Sequence, residues 1–279
     1  MSPAAAGIRH DLVLSSFGAS GHELVAAAQQ AEQAGFHGIW TYDHITGAML
    51  GSGYSRDCFA VLGAIAATTE RVTIGPLVAN MMNRHPAQLT VAMATLQSLS
   101  NGRAVLGIGA GAAPGSLFAG EHEAIGTPLL GADARRRRLG ETIRLFRTLW
   151  ATNGQINHEG EFFTVSPLGD LVADEAIPPI IVGASGPALA EFSLRYADGV
   201  NLLPTPQLSS TLDSIAEQTP AGATDAGFDV STYDNFDPDH PLGGPLPTHP
   251  IVTRRTLALK APFPLHSIRR VGRELGLTP

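Results

Sequence analysis

From residue 11 to residue 203 the chain alternates short apolar runs with stretches of helical periodicity. The apolar runs show almost no in–out alternation. Such strands are buried on both faces, as in a parallel sheet covered by helices. Parallel neighbours also need long crossover connections, and the intervening helices supply them. Six strands are expected: Asp11 to Ser15, Gly38 to Tyr42, Arg71 to Asn80, Ala104 to Gly109, Pro179 to Gly183 and Asp198 to Leu203. Helices are expected at His22 to Ala34, Asp57 to Thr69, after Pro86, at Asp133 to Trp150 and at Pro187 to Tyr196. Gln155 to Val165 reads as a hairpin turning at Glu159-Gly160. A length of 279 residues suits a (β/α)8 barrel, which needs about 250.

The alternation stops near residue 217. Thr219 to Pro250 is rich in Pro, Gly, Asp and Thr, which oppose regular helix and central strand. This stretch is expected to be irregular and mobile. Ile251 to Leu259 reads as a seventh strand broken by Arg254-Arg255, and His266 to Leu275 as a short helix. No eighth strand is evident. The expected organisation is a barrel core over 1–217 and an atypical Pro/Gly-rich segment over 218–279 that carries any last strands. The barrel is expected to stop short after its sixth strand or to be closed by a subunit neighbour.

Composition narrows the function. A net charge of −7 argues against a nucleic-acid surface. One cysteine, Cys58, excludes an internal disulfide and any multi-cysteine metal site. No apolar run reaches the 18 residues of a membrane span, and no secretory signal is visible, so no membrane partner and a cytoplasmic setting are expected. His122 and His158 look isolated, and no metal site is expected.

Several motifs sit where strands end. Asp43-His44 closes the second strand, at the end of a parallel sheet where active sites form. A proton-moving histidine and a helix-capping aspartate beside a surface histidine are both compatible with it. Gly107 to Gly111 lets backbone approach a ligand, or packs tightly. Gly183 to Pro187 opens a helix and could hold an anion, or be a plain turn. Arg135 to Arg138 reads as a solvated face paired with Asp133 and Glu141.

In order and spacing, AEQAGFHGIWTYDH, TERVTIGPLVANMMNRHPAQLTVAMATLQSLSNGRAVLGIGAG, RLGETIRLFRTLW with HEGEFFTV, and PPIIVGASGPALAEFSLRYADGVNLL resemble the luciferase-like oxidoreductases. The branch most resembled uses the deazaflavin coenzyme F420 and includes methylenetetrahydromethanopterin reductase. The resemblance implies an α/β fold, a TIM barrel with the cofactor at its C-terminal mouth. It also implies hydride transfer between coenzyme F420 and a small organic substrate, and a homo-oligomer. It implies His44 as the proton-handling catalytic residue and Asp43 near the ring. A bulge at Leu77, Val78 and Asn80 would back the ring, often through a non-proline cis peptide. Gly109, Ala110 and Gly111 would lie beside the cofactor side chain, and Ala184, Ser185 and Gly186 would form the phosphate turn. An FMN-dependent monooxygenase acting on paired donors with molecular oxygen is the alternative chemistry. A non-catalytic flavin-binding or interaction relative is the alternative class. Family glucose-6-phosphate dehydrogenases carry a glutamate just after the glycine loop. Ala112 stands there, which speaks against that substrate.

Overall fold

The computed structural model describes residues 7–219, 227–236 and 249–278. Helices begin where local chemistry satisfies their free N–H groups. Helix α1 (Gly21–Gln33) opens with a capping box: the Ser20 hydroxyl accepts from Glu23 N–H, and the Glu23 carboxylate accepts from Ser20 N–H. Asp57 caps α2 (Cys58–Ala66) by accepting from Ala60 N–H. Pro86 takes the first turn of α3 (Pro86–Leu99), where its missing N–H costs nothing.

The strands are β1 (Arg9–Leu14), β2 (Gly38–Thr41), β3 (Thr73–Pro76), β4 (Ala79–Asn80) and β5 (Leu106–Gly109). The short α4 (Ala119–Ala124) and the long α5 (Ala132–Ala151) follow. An antiparallel hairpin of β6 (His158–Glu159) and β7 (Thr164–Val165) comes next. The chain ends through β8 (Ile180–Ala184), α6 (Pro187–Tyr196), β9 (Gly199–Leu202), α7 (Leu208–Gln218), β10 (Asp229–Asn235), β11 (Arg254–Leu259) and α8 (Leu265–Glu274).

The main sheet is parallel, in the order β3-β2-β1-β11-β10-β9-β8-β5-β4. Its two ends, β3 and β4, are halves of one barrel strand interrupted at Leu77-Val78, so the sheet closes on itself with eight strand positions. The seam lies between β3 and β5. Ile74 N–H donates to Arg103 O at 3.0 Å, and Val105 N–H donates to Ile74 O at 2.9 Å. The two backbones touch because neither seam residue has a side chain: a Cβ at Gly75 would collide with the Val105 carbonyl, and one at Gly107 with the Pro76 carbonyl. The principal core lies between sheet and helices, with Leu12, Leu24, Ile39, Ile65, Met93, Leu106 and Phe146 all buried.

The expectation of a barrel stopping after six strands is corrected. A seventh strand, β10, lies inside the stretch expected to be irregular. Arg254–Leu259 is the eighth strand, not the seventh, and pairs with β1 over its whole length, from Arg9 opposite Arg254 to Leu14 opposite Leu259. Residues 220–226 and 237–248 of that stretch lie outside the described residues.

The seventh strand escaped a hydrophobic reading, and the eighth read as a broken run, because both carry polar residues into the barrel. Asn201 Nδ2 donates to Ser231 Oγ at 2.9 Å and to Thr256 Oγ1 at 3.1 Å inside it. Arg254, 5% exposed, donates to buried Asp11 at 2.5 Å and to Asp229 at 3.0 Å. Asp11 also accepts from Trp40 Nε1 at 2.7 Å. This network ties β1, β2, β10 and β11 together at the N-terminal end of the barrel. No helix among the described residues is long and apolar enough to cross a membrane.

Candidate active site

A cavity of about 530 Å³ opens at the C-terminal ends of the strands, within the ~300–1,000 Å³ usual for small-molecule sites. Its wall draws on nearly every strand end: Tyr42 and His44 after β2, Leu77 and Val78 between β3 and β4, Gly109 to Ala112 after β5, Gly183 to Ser185 from β8, and Tyr233 from β10. Of the residues expected from sequence, Asp43, His44, Leu77, Val78, Asn80, Gly109, Ala110, Gly111, Ala184 and Ser185 line it. Gly186 does not line the cavity; it caps the start of α6 next to that wall. A second cavity of about 510 Å³ lies outside the barrel, between α5, α6 and the hairpin.

The wall at Leu77-Val78 is built from the backbone upward. The peptide between them is cis. Val78 points toward β5 and β8, where glycines leave room: a Cβ on Gly183 would come within 2.7 Å of Val78 Cγ1. Asp43 clamps the far side. Its buried carboxylate accepts from Asn80 N–H at 2.9 Å and from Arg84 Nη1 at 2.6 Å. Arg84 in turn reaches Asp57 at 3.2 Å and lies over the Phe59 ring. Asp43 thereby holds the bulge as well as facing the cavity.

His44 packs beside Phe17 and Phe118, with ring centroids 5.1 and 4.2 Å away. Its Nδ1 is 3.0 Å from Glu121 Oε2. Its Nε2 makes no protein hydrogen bond among the described residues, and the side chain keeps 19% exposure on the cavity side. Across the floor, the Tyr42 and Tyr233 hydroxyls are 2.5 Å apart. Burial pushes both phenols up in pKa, and their mutual contact adds to this for Tyr42. Both are therefore protonated at neutral pH, and one hydroxyl proton remains free to point elsewhere.

Four residues were missed in the sequence. Glu121 is 2% exposed and is not a surface acid. His122 is not isolated: its Nε2 is 2.8 Å from Asn80 Nδ2, and burial pushes its pKa down. His158 is likewise engaged, 3.0 Å from Glu141. Arg135 leaves the expected solvated face, lines the cavity and donates to Gly111 O at 3.0 Å. Its Nε is buried without a hydrogen bond among the described residues. In the rest of the arginine run, Arg136 pairs with Asp133 and Arg137 with Glu161, Arg138 lies over the Phe163 ring, and Glu141 takes His158 and the N–H groups of Phe162 and Phe163 instead. The adjacent Glu-His of 121–122, a carboxylate beside an imidazole shortly after the glycine loop, was the available signal. Lys260, the only lysine in the sequence, stands exposed at the rim just past β11.

The family model for luciferase-like monooxygenases matches residues 5–233. The chain belongs to that family. Among its relatives is an F420-dependent glucose-6-phosphate dehydrogenase of Amycolatopsis mediterranei (strain U-32), 30% identical over 226 residues. That match covers 78% of this chain and 66% of the relative. An F420-dependent hydroxymycolic acid dehydrogenase of Mycobacterium tuberculosis (strain ATCC 25618 / H37Rv) is 35% identical over 178 residues, 63% of this chain and 47% of the relative. The chain thus spans between about half and two thirds of the length of these curated relatives. The structure of an F420-dependent secondary alcohol dehydrogenase in complex with an F420–acetone adduct aligns with a TM-score of 0.79, covering 96% of this chain and 98% of that one. At 17% identity, that likeness is one of fold.

Proposed function

We propose that this luciferase-like protein is an oxidoreductase that uses coenzyme F420 and exchanges hydride with a small organic substrate. The observation that carries the reading is the convergence, on one cavity, of a backing wall, a phosphate-sized helix start and an open imidazole nitrogen.

The residues present fit such a cofactor. Leu77 and Val78 offer a flat apolar wall for a tricyclic ring. No side chain caps the start of α6, so backbone N–H groups near Ser185 and Gly186 are available to a phosphate, and the helix dipole favours it. The Arg135 guanidinium on the cavity wall adds a positive charge. When bound, a deazaflavin accepts or gives the hydride. The chain's own residues do the rest. The bulge orients the ring, and Phe17 and Phe118 exclude water around His44. His44 Nε2 takes a proton from the substrate oxygen or returns it.

Ala112 on the cavity wall leaves no carboxylate at the position where the family's glucose-6-phosphate dehydrogenases carry one, so a different substrate is favoured. Titration of the purified protein with reduced and oxidised coenzyme F420 and with FMN tests the reading. Saturable quenching of deazaflavin fluorescence with weaker FMN binding is the expected result. Tight FMN binding with no deazaflavin binding would select the oxygen-dependent monooxygenase chemistry that the family model's name describes.

A further inference from the structure

Glu121 is absent from the cavity wall, and its side chain is only 1% exposed. A buried carboxylate is costly unless hydrogen bonds satisfy it. Three donors converge on this one. His44 Nδ1 lies at 3.0 Å from Oε2, Ile45 N–H donates to Oε2 at 3.4 Å, and Thr46 N–H donates to Oε1 at 3.4 Å. The helix that carries Glu121 is seated against Met49, where a Cβ on Gly120 would meet Met49 Sδ at 3.3 Å. The other nearby imidazole, His122, bonds to Asn80 instead, so His44 is the ring that Glu121 serves.

An ionised carboxylate can only accept hydrogen bonds. In the neutral imidazole the His44 nitrogen facing it must therefore carry the proton, which leaves the lone pair on Nε2, and the ring lines the cavity. The two aromatic neighbours hold the ring plane in place. We infer that Glu121 is a positioning residue that holds His44 in the Nδ1–H tautomer and keeps its Nε2 ready to accept a proton.

This inference rests on the proposed oxidoreductase reading and deepens it. In the oxidative direction the substrate O–H bond would break as an Nε2–H bond forms, the oxygen's electron pair would become the second bond of a C=O group, and the hydride of the adjacent C–H bond would be taken up by a deazaflavin held in the cavity. The imidazolium so formed lies against the Glu121 carboxylate, and the proton later passes to water. This is the role a carboxylate plays toward a general-base histidine elsewhere. Here the carboxylate comes from α4, 77 residues from its partner.

The test has one readout without cofactor and one with it. In ¹⁵N–¹H imidazole correlation spectra of the free protein at one neutral pH, His44 should be a single Nδ1–H species. Glu121→Met should convert it to a mixture or to the Nε2–H form. In turnover, Glu121→Met should lower kcat about 10–100-fold, the usual effect of removing a group that orients a functional histidine, with KM changed less than about threefold on the same grounds. In a His44→Ala background the same substitution should change kcat less than about twofold, because residues acting as a unit are non-additive. An unchanged tautomer, or a loss of kcat that persists without His44, overturns the inference. Should Glu121→Met fail to fold, Glu121→Gln keeps the shape and serves in the same cycle. Its loss must again vanish in the His44→Ala background. If no substrate is turned over with F420, the proposed function fails, and the tautomer still decides the role of Glu121.

Discussion

Each end of the barrel carries a buried aspartate against an arginine, and the surroundings give the two pairs different work. At the N-terminal end, Asp11 and Arg254 come from adjacent strands, and every further partner, Asp229, Trp40 and Arg9, is also on a strand. Its centre, Asp11 and Arg254, is buried, with Arg9 exposed at the edge, and it joins β1 to the two last strands. At the C-terminal end, Asp43 and Arg84 come from the segments after β2 and β4. Arg84 keeps 20% exposure, and the pair borders a cavity. The same charge pair is therefore a seam at one end and a scaffold for a binding wall at the other. Stability is concentrated at the bottom and chemistry at the top, as the barrel architecture favours.

That contrast can be broken by substitution. The largest effect is expected at the top. His44→Ala should lower turnover about 10²–10⁴-fold, the range for a general acid–base group, while the urea midpoint stays near that of the parent. Steady-state kinetics beside an unfolding curve checks both, and an alanine variant with full turnover would remove His44 from the chemistry. At the bottom, Arg254→Met should leave Asp11 buried with no cationic partner, while Arg9 still reaches Asp229, and destabilise the fold by about 3–5 kcal/mol. If denaturant unfolding shows no loss, the N-terminal network is not the seam described here.

Arg84→Met sharpens the comparison. It should weaken deazaflavin binding about tenfold, equivalent to ~1.4 kcal/mol, because Asp43 and the bulge lose their brace. A variant that loses stability as Arg254→Met does, with unchanged cofactor affinity, would make the two pairs equivalent. The smallest effect belongs to a site at neither end. Burial pushes the Glu141 carboxyl up, but His158 and the N–H groups of Phe162 and Phe163 outweigh it and hold the carboxyl below the usual range. Its stabilisation is then complete above the unfolded value of about 4.3 and is lost as pH falls through the lower folded value. The urea midpoint of the parent should drop as pH falls below about 4.3 more steeply than that of Glu141→Gln. Parallel curves would show that the hairpin contact adds nothing.

Much of this was legible in the chain. The first six strands announce themselves because both faces of each meet apolar neighbours. The bulge, the glycine loop and the Gly-Ala-Ser-Gly turn are local in sequence, and all sit at strand ends. The last two strands were harder. Ser231 and Thr256 are buried by hydrogen bonding inside the barrel, and Arg254 by two aspartates from the strands on either side of it. A hydrophobic pattern has no way to register either. Glu121 was hidden for a related reason. Its burial is explained by donors 75 to 77 residues earlier, His44, Ile45 and Thr46, and the neighbouring His122, the one local signal, stands equally beside the exposed Glu123. Arg135 differs from its three arginine neighbours only in the direction its helix turns it.

The position of Lys260 has a practical side. Seventeen of the chain's eighteen basic residues are arginines, and the one ε-amine stands at the mouth of the cavity. Amine-coupling reagents, apart from the α-amine, would find a single address. A dye attached there would report on the entry of ligands, and a resin that captured the protein through that amine would hold it by the doorway.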